Sequence, residues 1–288
     1  MKKFAVIYIG SNSVRLMFVA DGKVLYKTLQ STRLGEGIAQ TKRLKKEAIE
    51  RTALAVSSFF NRANSEGAEE VFAFATAAVR SAENGIEFLS RVQTLCGLNV
   101  EVVSGETEAE IGILGALGKK DGSLIDVGGA STEIVVQKQG TAVYKHSADI
   151  GVVRLKDKCG SNQALLKGVF DEAIKGYGMI PLCGEVYAVG GTATTLAAIY
   201  LGLEEYDSEK ITGTEISVNA MQGLADKLAQ LSVEEIAALP CMPTGRADLI
   251  FGGTLWLLEL MRRFGIEKII VSDRDNLEGY AIKKGWMK

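Results

Sequence analysis

This chain of 288 residues has little of what most catalytic motifs require. It contains one histidine, His146, with no nucleophile placed to pair with it, and a lone histidine is more often structural than catalytic. Its four cysteines form no CxxC pair and are too widely spaced to indicate a zinc site, which favours free thiols in a reducing compartment. They are Cys96, Cys159, Cys183 and Cys241.

Long apolar runs are also absent. Met1-Lys2-Lys3 precedes the apolar segment Phe4–Ile9 as in a signal peptide, but the run stops at Gly10 and no small-residue cleavage pattern follows. No uninterrupted run approaches the about 18 apolar residues that a membrane-spanning helix needs. We therefore expect a cytoplasmic protein without a membrane partner.

The chain has little net charge and neither common nucleotide motif. A formal net charge of −2 argues against nonspecific nucleic-acid binding, so a polyanion would need a local basic groove. The sequence has no GxxxxGK[ST] and no GxGxxG, which excludes a P-loop and the dinucleotide fingerprint. An apolar fraction of 47% and a charged fraction of 24% are typical of a soluble globular protein of one large or two ordinary domains.

What the sequence does contain is a segment that occurs twice. Residues Ile7–Val19 read IYIGSNSVRLMFV, and residues Ile125–Gln137 read IDVGGASTEIVVQ. Each copy is an apolar run, a polar turn built on glycine and serine, and a second apolar run, as in a β-hairpin. Such a turn can bring backbone N–H groups against an anion. Two copies predict two similar domains that face each other over one phosphate-rich ligand.

The elements around the repeat also recur. Each half begins with three strands, predicted at Phe4–Ile9, Val14–Ala20 and Lys23–Leu29, and at Ser123–Val127, Thr132–Gln137 and Thr141–Ser147. Helix, strand and helix then follow in both halves, which indicates an α/β fold with largely parallel sheets. The polar segment Gly118–Gly122 is the best candidate for a domain boundary.

Three turns are candidate anion sites. They are Gly10-Ser11-Asn12-Ser13, Gly128-Gly129-Ala130-Ser131 and Gly190-Gly191-Thr192-Ala193-Thr194, the last of which leads from the strand Glu185–Val189 into a helix predicted over Thr194–Tyr200. Any one of them is more often an ordinary tight turn. Three in one chain favour phosphate.

A few charged residues are candidates for chemistry. Asp126 ends a buried strand, where a carboxylate is costly unless it is paired or holds a metal such as Mg²⁺. Glu106 and Glu108 open a helix after Ser104, so their spacing favours N-terminal capping, although Glu108 could instead take a proton from water. Arg80 suits bidentate phosphate binding or a surface ion pair.

Six blocks together resemble the exopolyphosphatase / guanosine pentaphosphate phosphohydrolase (Ppx/GppA) family. The blocks are IGSNSVRL from Ile9, ATAAVR from Ala75, VSGETEAE from Val103, IDVGGASTE from Ile125, VGGTATTLAA from Val189 and GRADLIFGG from Gly245. The resemblance implies two actin-like (ribonuclease H-like) domains of the acetate and sugar kinase, Hsp70 and actin superfamily, which face an interdomain cleft. Residues 1–120 would form domain I and residues 121–288 domain II, as in the short form of the family.

The resemblance also implies roles for single residues. Glu108 falls on the glutamate that activates the attacking water, and Asp126 on an aspartate that helps to hold Mg²⁺, with Glu133 as a second water- or metal-directed acid. Arg80 falls on a phosphate-binding arginine. The remaining substrate-binding residues lie in the three turns: Ser11, Asn12, Ser13, Gly128, Gly129, Ser131, Gly191 and Thr192.

The expected reaction is Mg²⁺-dependent hydrolysis of a terminal phosphoanhydride of inorganic polyphosphate or guanosine pentaphosphate, and a homodimer is compatible with the sequence. Three positions depart from the family pattern: Tyr8 stands where an aspartate is usual, Ala130 replaces the third glycine of the second turn, and VSDRDNLEG (Val271–Gly279) differs from the usual final block. A phenol is a poor Mg²⁺ ligand, so an alternative is a sensor that binds polyphosphate or guanosine tetraphosphate without hydrolysis. An ATP-driven kinase or filament protein is a weaker alternative, because it leaves Glu108 without a role.

Overall fold

A computed structural model describes residues 2–287 and contains two β-sheets. The first sheet has the strand order β3-β2-β1-β4-β5. Strands β1 to β3 form an antiparallel meander, whereas β4 and β5 run parallel to β1. These strands are β1 (Lys3–Ile9), β2 (Ser13–Ala20), β3 (Lys23–Ser31), β4 (Glu70–Ala75) and β5 (Val100–Val102).

The second sheet repeats this arrangement. Its order is β10-β11-β9-β6-β7-β8, so that, apart from the added edge strand β10, the meander again lies beside two parallel strands. Its strands are β6 (Gly122–Val127), β7 (Thr132–Lys138), β8 (Thr141–Ala148), β9 (Val186–Val189), β10 (Glu215–Ser217) and β11 (Lys268–Val271). The predicted α/β fold with two similarly ordered halves is confirmed, and the sequence repeat corresponds to the β1–β2 and β6–β7 hairpins.

Helices connect and cover both sheets. They are α1 (Ile38–Thr41), α2 (Lys46–Ser65), α3 (Ala77–Ser81), α4 (Gly85–Cys96), α5 (Gly105–Leu117), α6 (Val152–Cys159), α7 (Gln163–Tyr177), α8 (Gly190–Leu201), α9 (Ser208–Ile211), α10 (Val218–Ala229), α11 (Val233–Ala237), α12 (Ala247–Arg263) and α13 (Asn276–Lys283). The prediction of a helix from Thr194 was wrong at its start, because α8 begins at Gly190 directly after β9. Sequence analysis missed α1, α3, α6, α9, α11 and β10, because elements of so few residues show too few repeats of a helical or strand pattern to be recognised.

Two helices lie against the sheet of the opposite half. Helix α5, from the first half of the chain, packs Ala109, Ile113 and Leu117 against Leu124 and its neighbours in the second sheet. Helix α13, which follows β11 of the second sheet, returns to the first sheet in a cluster that contains Leu277, Tyr280, Val6, Met17 and Phe74. The division at residue 120 therefore stays a prediction from chain order, since packing at α5 and α13 crosses it.

The helices α5 and α13 meet through glycine. A Cβ at Gly279 would fall well inside van der Waals contact with the Ile111 carbonyl oxygen, and one at Gly115 would do the same to the Asp275 carbonyl oxygen. The two helix backbones are therefore close enough for Cα–H···O contacts, and a side chain at either position would force them apart.

We predict that Gly279→Ala lowers the free energy of unfolding by about 3 kcal/mol, because a backbone carbonyl cannot move aside as a flexible side chain can. The matched control is Gly168→Ala, within α7, where a Cβ would meet nothing within 4 Å. That control should be neutral or stabilising by about 0.5–1 kcal/mol. Urea unfolding at equilibrium measures both, and equal effects would contradict the close approach of α5 and α13.

Candidate active site

The three glycine-rich segments line one open cavity of ≈ 620 Å³ between the two sheets. The first hairpin contributes Gly10, Ser11, Asn12 and Ser13; the second contributes Asp126, Val127, Gly128 and Gly129; the start of α8 contributes Gly190, Gly191 and Thr192. Three segments that are distant from one another in the chain thus share one concave surface.

The two hairpin turns are built alike and touch each other. The N–H of Gly10 donates to Ser13 O at 3.0 Å, and the N–H of Gly128 donates to Ser131 O at 3.0 Å. A Cβ at Gly129 would lie 2.8 Å from Ser11 Cβ, so only glycine permits this approach. The described residues with a positive φ do not include Ala130, which explains why an alanine is accommodated in the second turn.

Asp126 lies at the end of β6 on the floor of the cavity. Its side chain is buried, and its Oδ2 accepts a hydrogen bond from Asn276 Nδ2 at 3.2 Å. Gly190, at φ +79°, leaves room for Oδ1, because a Cβ there would overlap that oxygen. Burial and the neighbouring charges of Glu133 and Asp275 raise the pKa of Asp126 well above its usual range.

Glu108 lies in the first turn of α5 but does not cap it. The N-cap is Ser104, whose hydroxyl oxygen accepts from Thr107 N–H, whereas Glu106 is on the surface beside Lys145. Glu108 is only 4% exposed, and its Oε2 accepts from Arg80 Nη1 at 3.2 Å. The preference for capping drawn from spacing is therefore wrong for Glu108, and Arg80 is not a surface ion pair.

Three buried acids interact at this end of the cleft. Burial is the main cause that raises the pKa of Glu108 to about 7, opposed by the Arg80 guanidinium. Glu133 on β7 lies opposite Asp126 on β6 in the strand register, and its Oε1 accepts a hydrogen bond from Ser147 Oγ at 2.6 Å. Burial, followed by the charge of Glu108, raises the pKa of Glu133 to about 8.

The predicted site residues fall into two adjoining groups. Those that line the cavity are Ser11, Asn12, Ser13, Asp126, Gly128, Gly129, Gly191 and Thr192. Beside them are Arg80, Glu108, Ser131 and Glu133, of which all but Arg80 are buried. Within residues 2–287, no group of three or more histidine, cysteine, aspartate or glutamate side chains is arranged to hold a metal ion.

Sequence analysis missed two arginines in the cavity wall. Arg246 donates from Nη1 to Gly191 O and to Thr195 Oγ1, both at 2.9 Å, and burial together with the charge of Arg15 lowers its pKa to about 10. Arg15 forms an ion pair with Asp275. Two sequence features could have indicated them. Both arginines lie in blocks that carry the family resemblance, and Arg15 is the one charged residue of the apolar strand β2.

Because its folded-state pKa is raised, Glu133 stabilises the fold fully only below its unfolded pKa, and this contribution is lost as the pH rises through about 8. We predict that the free energy of unfolding of Glu133→Gln, relative to that of the unmodified protein, rises by on the order of 2 kcal/mol from pH 5 to pH 9. Urea unfolding at both pH values measures the change. Glu106→Gln, on the exposed side of α5, should show the same pH dependence of the free energy of unfolding as the unmodified protein. If Glu133→Gln also shows that same dependence, the raised pKa of Glu133 is contradicted.

No helix among residues 2–287 has the length and apolar character to cross a membrane. The sequence pattern of the Ppx/GppA phosphatase family matches residues 17–284. Exopolyphosphatase 2 of Mycobacterium tuberculosis is 30% identical, over 98% of this chain and 98% of that protein. A guanosine-5'-triphosphate,3'-diphosphate pyrophosphatase of Vibrio vulnificus is 29% identical, over 98% of this chain and 58% of that protein.

Solved structures agree with these sequence relatives. The crystal structure of the Aquifex aeolicus member of the Ppx/GppA family is 30% identical, with a TM-score of 0.80 over 99% of this chain and 97% of that one. A crystal structure described as an exopolyphosphatase-like protein has a TM-score of 0.92 at 26% identity, over 98% of both chains. The resemblance drawn from six sequence blocks is confirmed: this chain belongs to the Ppx/GppA phosphatase family.

Proposed function

We propose that this protein hydrolyses terminal phosphoanhydride bonds of inorganic polyphosphate or guanosine pentaphosphate. The observation that carries the proposal is a buried glutamate, Glu108, with a pKa of about 7, held by Arg80 beside a cavity lined by three glycine-rich segments. A base whose pKa lies near the ambient pH suits proton abstraction from water. Relatives named exopolyphosphatase and guanosine pentaphosphate pyrophosphatase support the reaction class.

The substrate phosphates would bind in the cavity between the turns. Backbone N–H groups of glycine-rich turns and of a helix N-terminus are suited to phosphate oxygens. Arg246 adds a half-buried guanidinium whose hydrogen bonds go to neutral oxygens, so a phosphate there would meet a positive charge that no hydrogen-bonded acid offsets. These groups would also stabilise the charge that develops on the transferred phosphoryl group.

Asp126 suits Mg²⁺ in the way that phosphate sites commonly use it. Mg²⁺ often takes one or two carboxylates and completes its shell with substrate phosphates and water. Asp126 offers one buried carboxylate at the cavity, with Oδ1 facing the Gly190 backbone. When bound, the metal would neutralise phosphate charge; Glu133, engaged with Ser147, would remain a second acid beside it.

In the proposed step, Glu108 takes a proton from a water molecule whose oxygen attacks the terminal phosphorus. The bond from phosphorus to the bridging oxygen breaks, which releases orthophosphate and a chain one phosphate shorter. Arg80 holds the Glu108 carboxylate and keeps its pKa from rising further in the buried site. Glu133, with a pKa of about 8, would keep its proton at neutral pH and so limit repulsion with Glu108.

A larger adjoining cavity of ≈ 1650 Å³ bears on the choice of substrate. It shares Arg15, Arg246 and the start of α8 with the phosphate cavity, and it is lined further out by Leu29, Met242, Pro243, Asp273 and Asp275. Asp273 is paired with Lys27 and Asp275 with Arg15, and this mixture of apolar side chains and ion pairs suits a nucleoside better than a continuing chain of phosphates. This supports guanosine pentaphosphate as a substrate.

The proposed function is tested by phosphate release from both substrates, with and without Mg²⁺. We predict that Glu108→Gln lowers kcat by about 10²–10⁴-fold while the protein still binds tripolyphosphate, because the variant loses the base but keeps the turns. Below about pH 7 the unmodified enzyme should lose activity as Glu108 gains its proton. Glu106→Gln is the control, and unchanged turnover in Glu108→Gln would remove Glu108 from the mechanism.

A second candidate function is a sensor that binds these phosphates without cleaving them. It is favoured by Tyr8, whose hydroxyl lies 3.5 Å from Thr76 Oγ1 and whose pKa is raised by burial and by Glu108, so that it stays neutral. Calorimetry beside the phosphate-release assay separates the two functions. Tight binding of guanosine tetraphosphate or polyphosphate with no release at any Mg²⁺ concentration would support the sensor.

A further inference from the structure

The two hairpins at the cavity carry opposite chemistry at equivalent positions. The sequence repeat aligns Tyr8 with Asp126 and Arg15 with Glu133. The register gives the same result, because Tyr8 lies opposite Arg15 in the β1–β2 pair and Asp126 lies opposite Glu133 in the β6–β7 pair. The second hairpin thus presents two acids, and the first presents a phenol and a guanidinium.

The Tyr8 ring is fixed in the wall of the cavity. It packs edge-on against Phe74 at 5.3 Å, and a Cβ at Gly10 would lie 2.7 Å from Tyr8 Cε1, so the ring lies directly under the first turn. The Arg15 guanidinium lies over the ring, 4.2 Å from its centroid. These contacts hold the phenol in the cavity wall, at the position of the first hairpin that is equivalent to Asp126 in the second.

The charge of this wall disfavours a bare dication. Asp126 is the acid that lines the cavity, and one of its oxygens already accepts from Asn276. Arg15 and Arg246 also line the cavity. The charge of Arg15 is offset by Asp275, whereas the hydrogen bonds of Arg246 go to neutral oxygens, so the Arg246 guanidinium repels an isolated Mg²⁺ at close range. A metal–phosphate complex with net negative charge would be attracted by Arg246.

We propose that Tyr8 prevents the phosphate-free protein from holding a divalent cation, so that the metal enters only together with phosphate. Tyr8 is then a specificity-determining residue that sets the order of binding. By linkage, metal and phosphate each raise the affinity of the protein for the other. The inference rests on the proposed phosphate site, but its test needs no turnover.

The test is a titration of substrate-free protein with Mn²⁺, followed by electron paramagnetic resonance of the free ion. The unmodified protein should show no saturable binding up to about 5 mM Mn²⁺, and Tyr8→Asp should bind at least about tenfold more tightly, since a second carboxylate would then face Asp126. Tyr8→Phe is the matched control and should behave like the unmodified protein. Adding Asp126→Asn to Tyr8→Asp should remove the gain.

Saturable Mn²⁺ binding by the unmodified protein as tight as that of Tyr8→Asp would overturn the proposal, as would an equal gain in Tyr8→Phe. Circular dichroism and thermal unfolding show whether Tyr8→Asp is folded. Should it unfold, Arg246→Gln decides: removal of a positive charge that has no acidic hydrogen-bond partner should raise Mn²⁺ affinity, and no change would count against the proposal. Lack of phosphate release with the Mn²⁺ results as expected would reject the proposed function alone.

Discussion

The candidate site depends on the close approach of two hairpin turns that belong to different sheets. Ser11 and Gly129 are in contact, and Gly151, just before α6, packs against the backbone of Gly129 and Ala130 so tightly that a Cβ would overlap it. Turns packed in this way expose main-chain groups to the cavity and leave little room for side chains. Binding of phosphate to these groups, as proposed above, would cost little side-chain entropy, because the donors are held by the fold.

Around the two turns, burial and neighbouring charges have opposing effects on the ionisation of three acids. Glu108, Asp126 and Glu133 are all buried, which disfavours their ionised forms, while Arg80 is the nearest group that favours ionised Glu108. The outcome is a graded set of acids in which Glu108 titrates near neutral pH and Glu133 above it. In such a set Glu108 can ionise while Glu133 keeps its proton, so that three like charges do not have to coexist, as the proposed role of Glu108 as a base requires.

The sequence predicted the local parts of this arrangement and not the long-range ones. The strands of the hairpins were predicted within a few residues because the apolar runs and the turns between them are visible in a single segment. Arg246 and Asn276 could not be assigned, because their roles depend on Gly191 and Asp126, which lie 55 and 150 residues away in the chain. The return of α13 to the first sheet was hidden for the same reason.

The contacts between the halves at α5 and α13 differ in kind from the more exposed contacts that Arg33 and Gly37 make. At α5 and α13 the backbones meet through glycine, so sliding or separation there would break close packing. At the rim, Arg33 pairs with Asp248 at 2.6 Å and Gly37 N–H donates to Asp157 Oδ2 at 2.8 Å, both partly solvated polar contacts. Partly exposed pairs contribute little net stability, since water replaces them when they part. The contacts of Arg33 and Gly37 therefore contribute less to holding the halves together than the close packing of α5 against α13 does.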